Sequence, residues 1–381
     1  MRTDKEKQLP VQWRSFPRSL AAILAFVVAV HATPIFPIAA NEIELLVVGD
    51  SLIFGQGLLE QDKIYTHVAE WLRTSSPGAP RAVNVKMKAH SGSTLKFHAN
   101  EAEAYRKAGR DETFFYKPEV NVSFPSTWKQ LEVAADEYKA AGRSGAELIL
   151  LSGCITDITV AKVLDPKGDD DLLRRQAKQF CHDDMVDVLN HAASLHPRSA
   201  IAVVGYFPMI SPQSNDTRLF NSWLEARKTA RFLKWMLNNP IMRKVYFKKV
   251  GNKAMHRARL WFEESNKQLE AAVNDFNARS PQPRAVFVKS PLTEENAVEA
   301  PRTMLFRMGK HGISEDPMYS ERKADCDTAL PELKRSTGLD YPLRFCEVAG
   351  VGHPNPIGSK KYASAVTTEL PKVLGQQLGR Q

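Results

Sequence analysis

No stretch of this chain is both long and apolar enough to cross a bilayer comfortably. The most apolar run, Leu20–Val30, falls short of the roughly 17–25 residues a helical span needs. Cysteine is scarce, four in 381 residues, and Cys154, Cys181, Cys326 and Cys346 show none of the close spacings of a zinc site. Internal repeats and low-complexity tracts are missing, which argues against solenoids and disordered tails. Acidic residues are outnumbered, 43 against 52 basic. The excess reads as solvated lysines, compatible with an anionic lipid or polysaccharide surface; a nucleic-acid partner is not expected.

The N-terminus accounts for part of that charge. Arg2, Lys5, Lys7, Arg14 and Arg18 precede the Leu20–Val30 run. Val30-His31-Ala32 then places small residues where signal-peptide cleavage needs them, and Ile38-Ala39-Ala40 offers a second cut. Residues 1–40 are therefore expected to be a signal peptide, with an uncleaved membrane anchor as the alternative. Either implies export, to the periplasm or beyond. In an oxidising compartment four cysteines allow two bridges. Proximity favours Cys154–Cys181 with Cys326–Cys346, although three pairings exist and four free thiols are the other reading.

Beyond residue 40 strand-like and helix-like segments alternate. Glu42–Val48 is nearly all apolar, as a strand covered on both faces must be. Val83–Met87, Glu147–Ser152, Ser199–Gly205 and Ala285–Lys289 are the other strand candidates. Helices are expected at about Lys63–Arg73, Ser126–Ala141, Leu172–Leu195, Lys253–Ala278 and Ser359–Leu374. In Lys253–Ala278 the apolar stripe is Ala258, Phe262, Leu269, Val273 and Phe276. This order predicts an α/β protein, a three-layer α/β/α sandwich on a five-stranded parallel sheet. Ligands of such folds bind at the C-terminal ends of the strands. One domain over 41–381 is expected, with an elaboration at about 206–346. It contains two helical segments, one strand and a polar stretch, Glu294–Gly338, with little periodicity. The elaboration as a whole is read as packed around the active-site rim and carrying substrate selectivity, or as an inert surface excursion.

Two segments carry chemistry. Gly49-Asp50-Ser51-Leu52 follows the first strand, so Ser51 lies in a turn at the sheet edge. A serine hydroxyl is a weak nucleophile until a base takes its proton. Alone, the tripeptide is also a common turn. His353 lies in the loop Gly350-Val351-Gly352-His353-Pro354-Asn355-Pro356, just before the last helix. Its imidazole titrates near neutrality and suits a general base that later acts as acid. His90 and Asp50 are read as structural, Asp50 bonding within its turn. Asp169-Asp170-Asp171 is read as a helix start and His182-Asp183-Asp184 as part of a helix; no metal site is expected.

Taken together, these segments resemble the SGNH (GDSL) hydrolases, whose four blocks occur here in order. Gly49-Asp50-Ser51-Leu52 is similar to the first block, and Ala89-His90-Ser91-Gly92-Ser93-Thr94 to the second. Cys154-Ile155-Thr156-Asp157 stands where the third belongs, and Gly352-His353-Pro354-Asn355 where the last does. The resemblance implies a flavodoxin-like sandwich and hydrolysis of acyl esters of lipids or glycans without a cofactor. It also implies Ser51 as nucleophile, His353 as base, and an oxyanion hole of the Ser51 and Gly92 amides with Thr156. The chain departs from the family twice. Thr156 replaces the oxyanion asparagine, a shorter donor with one rotatable hydroxyl. Gly350 replaces the acid three residues before the histidine, leaving a Ser–His dyad with a backbone carbonyl on the ring, or Glu347 swung in. Those departures motivate one alternative, a protein that binds acylated glycan or lipid without turnover; an acyltransferase on the same serine, with a sugar or lipid hydroxyl in place of water, is another.

Overall fold

The computed structural model describes residues 42–226 and 248–378. The expected signal peptide or anchor lies outside those residues. Among the described residues no helix is long and apolar enough to cross a membrane.

Five parallel strands form one sheet: β1 (Glu42–Gly49), β2 (Ala82–Met87), β3 (Leu148–Ser152), β4 (Ala200–Val204) and β5 (Ala285–Val288). Their order is β2-β1-β3-β4-β5, with β1 paired to β2 and β3, and β4 to β3 and β5. Every expected strand is present, within a residue or so at each end. β3 and β4 are buried throughout and β1 at all but its first residue, whereas the edge strand β2 is half exposed. This is the reason the inner strands read as unbroken apolar runs.

Helices cover both faces. Ile64–Thr74 packs against Pro356–Glu369 on one face, while Thr127–Ala140, Met185–Leu195 and Lys248–Ala278 pack in turn on the other. The architecture is thus the three-layer α/β/α sandwich. In this strand order the connection reverses between β1 and β3, which opens the crevice where doubly wound sheets bind ligands.

One expectation needs correcting. The continuous helix expected at Leu172–Leu195 is Asp170–Ala177 and Met185–Leu195 separated by a seven-residue π-helical stretch, Lys178–Asp184, that holds Cys181. The polar stretch Glu294–Gly338, whose sequence shows little periodicity, contains a 19-residue helix, Tyr319–Thr337. Its buried positions are Arg322, Cys326, Ala329, Leu330 and Leu333. They have helical spacing, but the stripe opens on a charge and includes small residues, and Pro331 lies inside it, so large apolar residues alone do not reveal it. This helix builds a second, smaller core with Tyr105, Val120, Val122, Phe124 and Cys346.

The cysteines form Cys154–Cys181 and Cys326–Cys346. The first ties the turn after β3 to the π-helical stretch. The second ties the Tyr319–Thr337 helix to Leu343–Glu347, which leads into the His353 loop.

Candidate active site

Ser51 opens a one-turn helix, Ser51–Phe54, directly after β1. Asp50 caps that helix by accepting from the Leu52 N–H at 3.0 Å. Helix starts leave backbone N–H groups without intrahelical partners, and aspartate is a preferred cap. Asp50 does more than the local bonding expected of it. It is fully buried and also accepts from Ser152 Oγ at 2.6 Å and from the Tyr206 hydroxyl. Burial pushes its carboxyl up, against the pull of those three donors. Tyr206 Oη in turn accepts from the Ile155 N–H at 3.3 Å. The turns after β1, β3 and β4 are therefore cross-linked beneath the serine.

His353 arrives from the far end of the chain. Its Nε2 lies 2.7 Å from Ser51 Oγ, across 302 residues of sequence. The loop carrying it is held by the bond from Phe306 N–H to the His353 carbonyl at 2.8 Å and from Gly352 N–H to the Phe306 carbonyl at 2.9 Å. Behind the loop, Asn355 caps the Pro356–Glu369 helix. Burial pushes the His353 imidazole down to about 4, and the neighbouring Arg322 guanidinium adds to this. The Ala349 and Gly350 carbonyls and the Asp316 carboxylate pull the other way. Neither carbonyl reaches hydrogen-bond geometry at Nδ1, which is buried without a hydrogen-bond partner. The Glu347 carboxylate does not swing in; it pairs with Arg344 at 2.7 Å.

Gly92 sits in the turn after β2 with φ +84°, a conformation L side chains rarely adopt. A Cβ there would stand 2.6 Å from the Val122 carbonyl oxygen, so the position needs glycine twice over. His90, two residues earlier, is buried with its ring nitrogens 2.9 Å from the Ser91 carbonyl and 3.2 Å from that of Tyr116. Its role is to brace the turn. Thr156, from the turn after β3, donates its hydroxyl proton to the Ser93 carbonyl. In this arrangement it holds the Gly92 turn in place. Asp157 adds to that brace by accepting from the Leu95 N–H at 3.2 Å.

Some residues that build the site have no sequence signature. Gln130, buried in the Thr127–Ala140 helix, bonds the Gly49 N–H and carbonyl and the Ser93 hydroxyl, joining the serine turn to the Gly92 turn. Arg322 is fully buried beside the His353 loop, 2.7 and 2.9 Å from the two Asp316 oxygens and 2.9 Å from Glu119 Oε2. Glu119 reaches the chain just after Ser51, accepting from Gln56 Nε2 at 2.7 Å and the Gly57 N–H at 3.2 Å. A glutamine or arginine on an unremarkable helix offers no spacing by which to find it. The other carboxylates behave as read: Asp169 caps its helix, and His182 pairs with Asp183 and Asp275 near the surface.

Comparison with known proteins adds the following. No protein-family model matches the chain, and no curated protein matches it. Among solved structures the chain is similar to an extracellular lipase from Streptomyces rimosus (10% identity, 86% of this chain and 99% of the other, TM-score 0.42). It is also similar to phospholipase A1 from Streptomyces albidoflavus NA297 (12%, 87% and 100%, TM-score 0.40). A family 3 carbohydrate esterase from Clostridium thermocellum is a third (12%, 88% and 98%, TM-score 0.34).

Proposed function

We propose that this chain is a serine hydrolase of the SGNH type, which cleaves acyl esters through an acyl-enzyme on Ser51. The observation carrying the proposal is the 2.7 Å contact between Ser51 Oγ and His353 Nε2 at the C-terminal edge of the sheet. A serine so placed can pass its proton to the imidazole as it attacks an ester carbonyl carbon. The carbonyl π bond opens, and the resulting oxyanion is held by the Ser51 and Gly92 N–H groups. His353 then returns the proton to the leaving alcohol as the acyl–oxygen bond breaks. Water, activated by the same imidazole, releases the acid. A low imidazole pKa keeps His353 neutral and ready to accept a proton even in mildly acidic surroundings.

Thr156 supports this reading as a brace on the Gly92 turn, since its proton is given to Ser93. The substrate class, an acyl ester of a lipid or glycan, follows from the resemblance of the four blocks. Transfer of the acyl group to a sugar or lipid hydroxyl uses the same steps with that hydroxyl replacing water. We place this export-type hydrolase in the periplasm or outside the cell, in keeping with its two disulfides.

The test is hydrolysis of a short activated ester by the purified protein and by Ser51→Ala, with fluorophosphonate labelling in parallel. The parent should turn over the ester and take the label, and the variant should do neither. Activity surviving in Ser51→Ala removes that serine from the mechanism. A parent that binds acylated ligand but is neither active nor labelled is a binding protein.

A further inference from the structure

We propose that Asp316 is the displaced acid of this site, a positioning residue that acts on Ser51 only through His353. The inference rests on the Ser51–His353 reading and deepens it. The resemblance calls for a carboxylate three residues before the histidine, where this chain has Gly350. That position is not empty space. A Cβ on Gly350 would stand 2.6 Å from Asp316 Cγ and 3.1 Å from Arg322 Nη2. A carboxylate from the inserted segment thus fills the place where a side chain at 350 would begin.

On its other side the same carboxylate lies against the loop that follows the nucleophile. A Cβ on Gly57 would stand 2.9 Å from Asp316 Cβ and 3.1 Å from Oδ1. Asp316 is therefore slotted between the Ser51 and His353 loops, with a glycine facing it from each. Its orientation is fixed by both guanidinium nitrogens of Arg322 and by the Ser314 hydroxyl. Arg322 is itself held by Glu119 at 2.9 Å and by the Glu347 carbonyl at 3.2 Å.

The carboxylate does not touch His353 Nδ1, so it acts by field and by shape. The charged groups that bear on the ring are Arg322 from the Tyr319–Thr337 helix and Asp316 from the loop before it. Glu119 lies behind Arg322, and Glu347 is neutralised by Arg344. Arg322 alone would oppose the imidazolium that forms when Ser51 gives up its proton. Asp316 offsets that charge, as an acid at position 350 would do from closer range.

Three proteins test this: the parent, Asp316→Asn, and the relocated pair Asp316→Gly with Gly350→Asp. Each is measured by NMR titration of the His353 ring, fluorophosphonate labelling of Ser51 and thermal unfolding. In Asp316→Asn the His353 pKa should fall by about one unit or more, and labelling should slow correspondingly by about tenfold or more, part of what a general base contributes. The relocated pair should recover labelling to within about threefold of the parent and raise the His353 pKa above it, because the charge then lies nearer the ring. If Asp316→Asn labels and titrates like the parent, the proposal is wrong. It is equally wrong if the relocated pair folds and neither regains labelling nor raises the His353 pKa. Should Asp316→Asn fail to fold, the relocated pair decides. A parent that takes no label, while Asp316→Asn still moves the His353 titration, removes the ester-hydrolase reading and leaves this one standing.

Discussion

Gln130 and Gly49 form a closed ring of hydrogen bonds: Oε1 accepts from the Gly49 N–H at 2.7 Å, and Nε2 donates to its carbonyl at 3.2 Å. The N–H and carbonyl so held belong to the last residue of β1, directly before the Asp50–Ser51 turn, and both are buried. Gln130→Leu leaves the buried Gly49 N–H without a partner, at a cost of about 1–3 kcal/mol, while the Gly49 carbonyl keeps the bond it accepts from the His90 N–H at 3.0 Å. The variant should lose roughly 1–3 kcal/mol of stability in urea unfolding, the cost of that one orphaned group. Its residual folded protein should label with fluorophosphonate more slowly than the parent. Unchanged stability would mean the ring contributes nothing.

Activity should persist to unusually acid pH. His353 must be neutral to accept the Ser51 proton, and burial with Arg322 holds its pKa at about 4. Protonation therefore switches the base off only as pH falls through that region, not near the ordinary imidazole value of about 6.5. The profile of kcat/KM should be flat from neutrality down to about pH 5 and then decline, with one proton taken up. An acid limb centred near 6.5 would show that the imidazole is not held this way.

Thr156→Val separates two roles for that hydroxyl. Losing an oxyanion donor costs about 2.7–4 kcal/mol in transition-state stabilisation, a hundredfold or more in kcat. Losing a brace on Ser93 costs about 1 kcal/mol of stability, with only a modest effect on rate. Since the hydroxyl already donates to the Ser93 carbonyl, the expected fall in kcat is less than about tenfold. Ester kinetics at saturating substrate decide between them.

The Cys326–Cys346 bridge closes a sequence separation of 20 between the helix bearing Arg322 and the one leading to His353. Replacing both cysteines by serine should cost roughly 3 kcal/mol by the chain-entropy account. Thermal unfolding checks the loss. Labelling below the unfolding transition should also slow, because the Arg322–Asp316 pair is no longer tethered to the His353 loop.

How much of this was legible beforehand varies by kind of feature. The strands were readable because two-sided burial leaves a local mark, an apolar run such as Glu42–Gly49, in consecutive residues. The disulfide pairing is the one that proximity along the chain favours, 27 and 20 residues apart, among the three pairings and the free thiols that the sequence leaves open. The helix Tyr319–Thr337 was missed since its buried stripe starts with an arginine that pairs with Glu119, 203 residues away. Burial of a charge is invisible to a hydrophobic pattern; its partner, not its own type, makes the position an inside one.

By itself the sequence determined the succession of strands and helices along the chain, the turn that carries Ser51, and the loop that offers His353. These depend on neighbours within a few residues, where periodicity and turn chemistry operate. Only the tertiary structure decided that the hydroxyl and imidazole meet, that Thr156 spends its proton on Ser93, and that Asp316 fills the space beside Gly350. Such contacts join segments whose separation in sequence carries no information about their distance. Packing around a shared sheet edge brings them together, and no local rule encodes it.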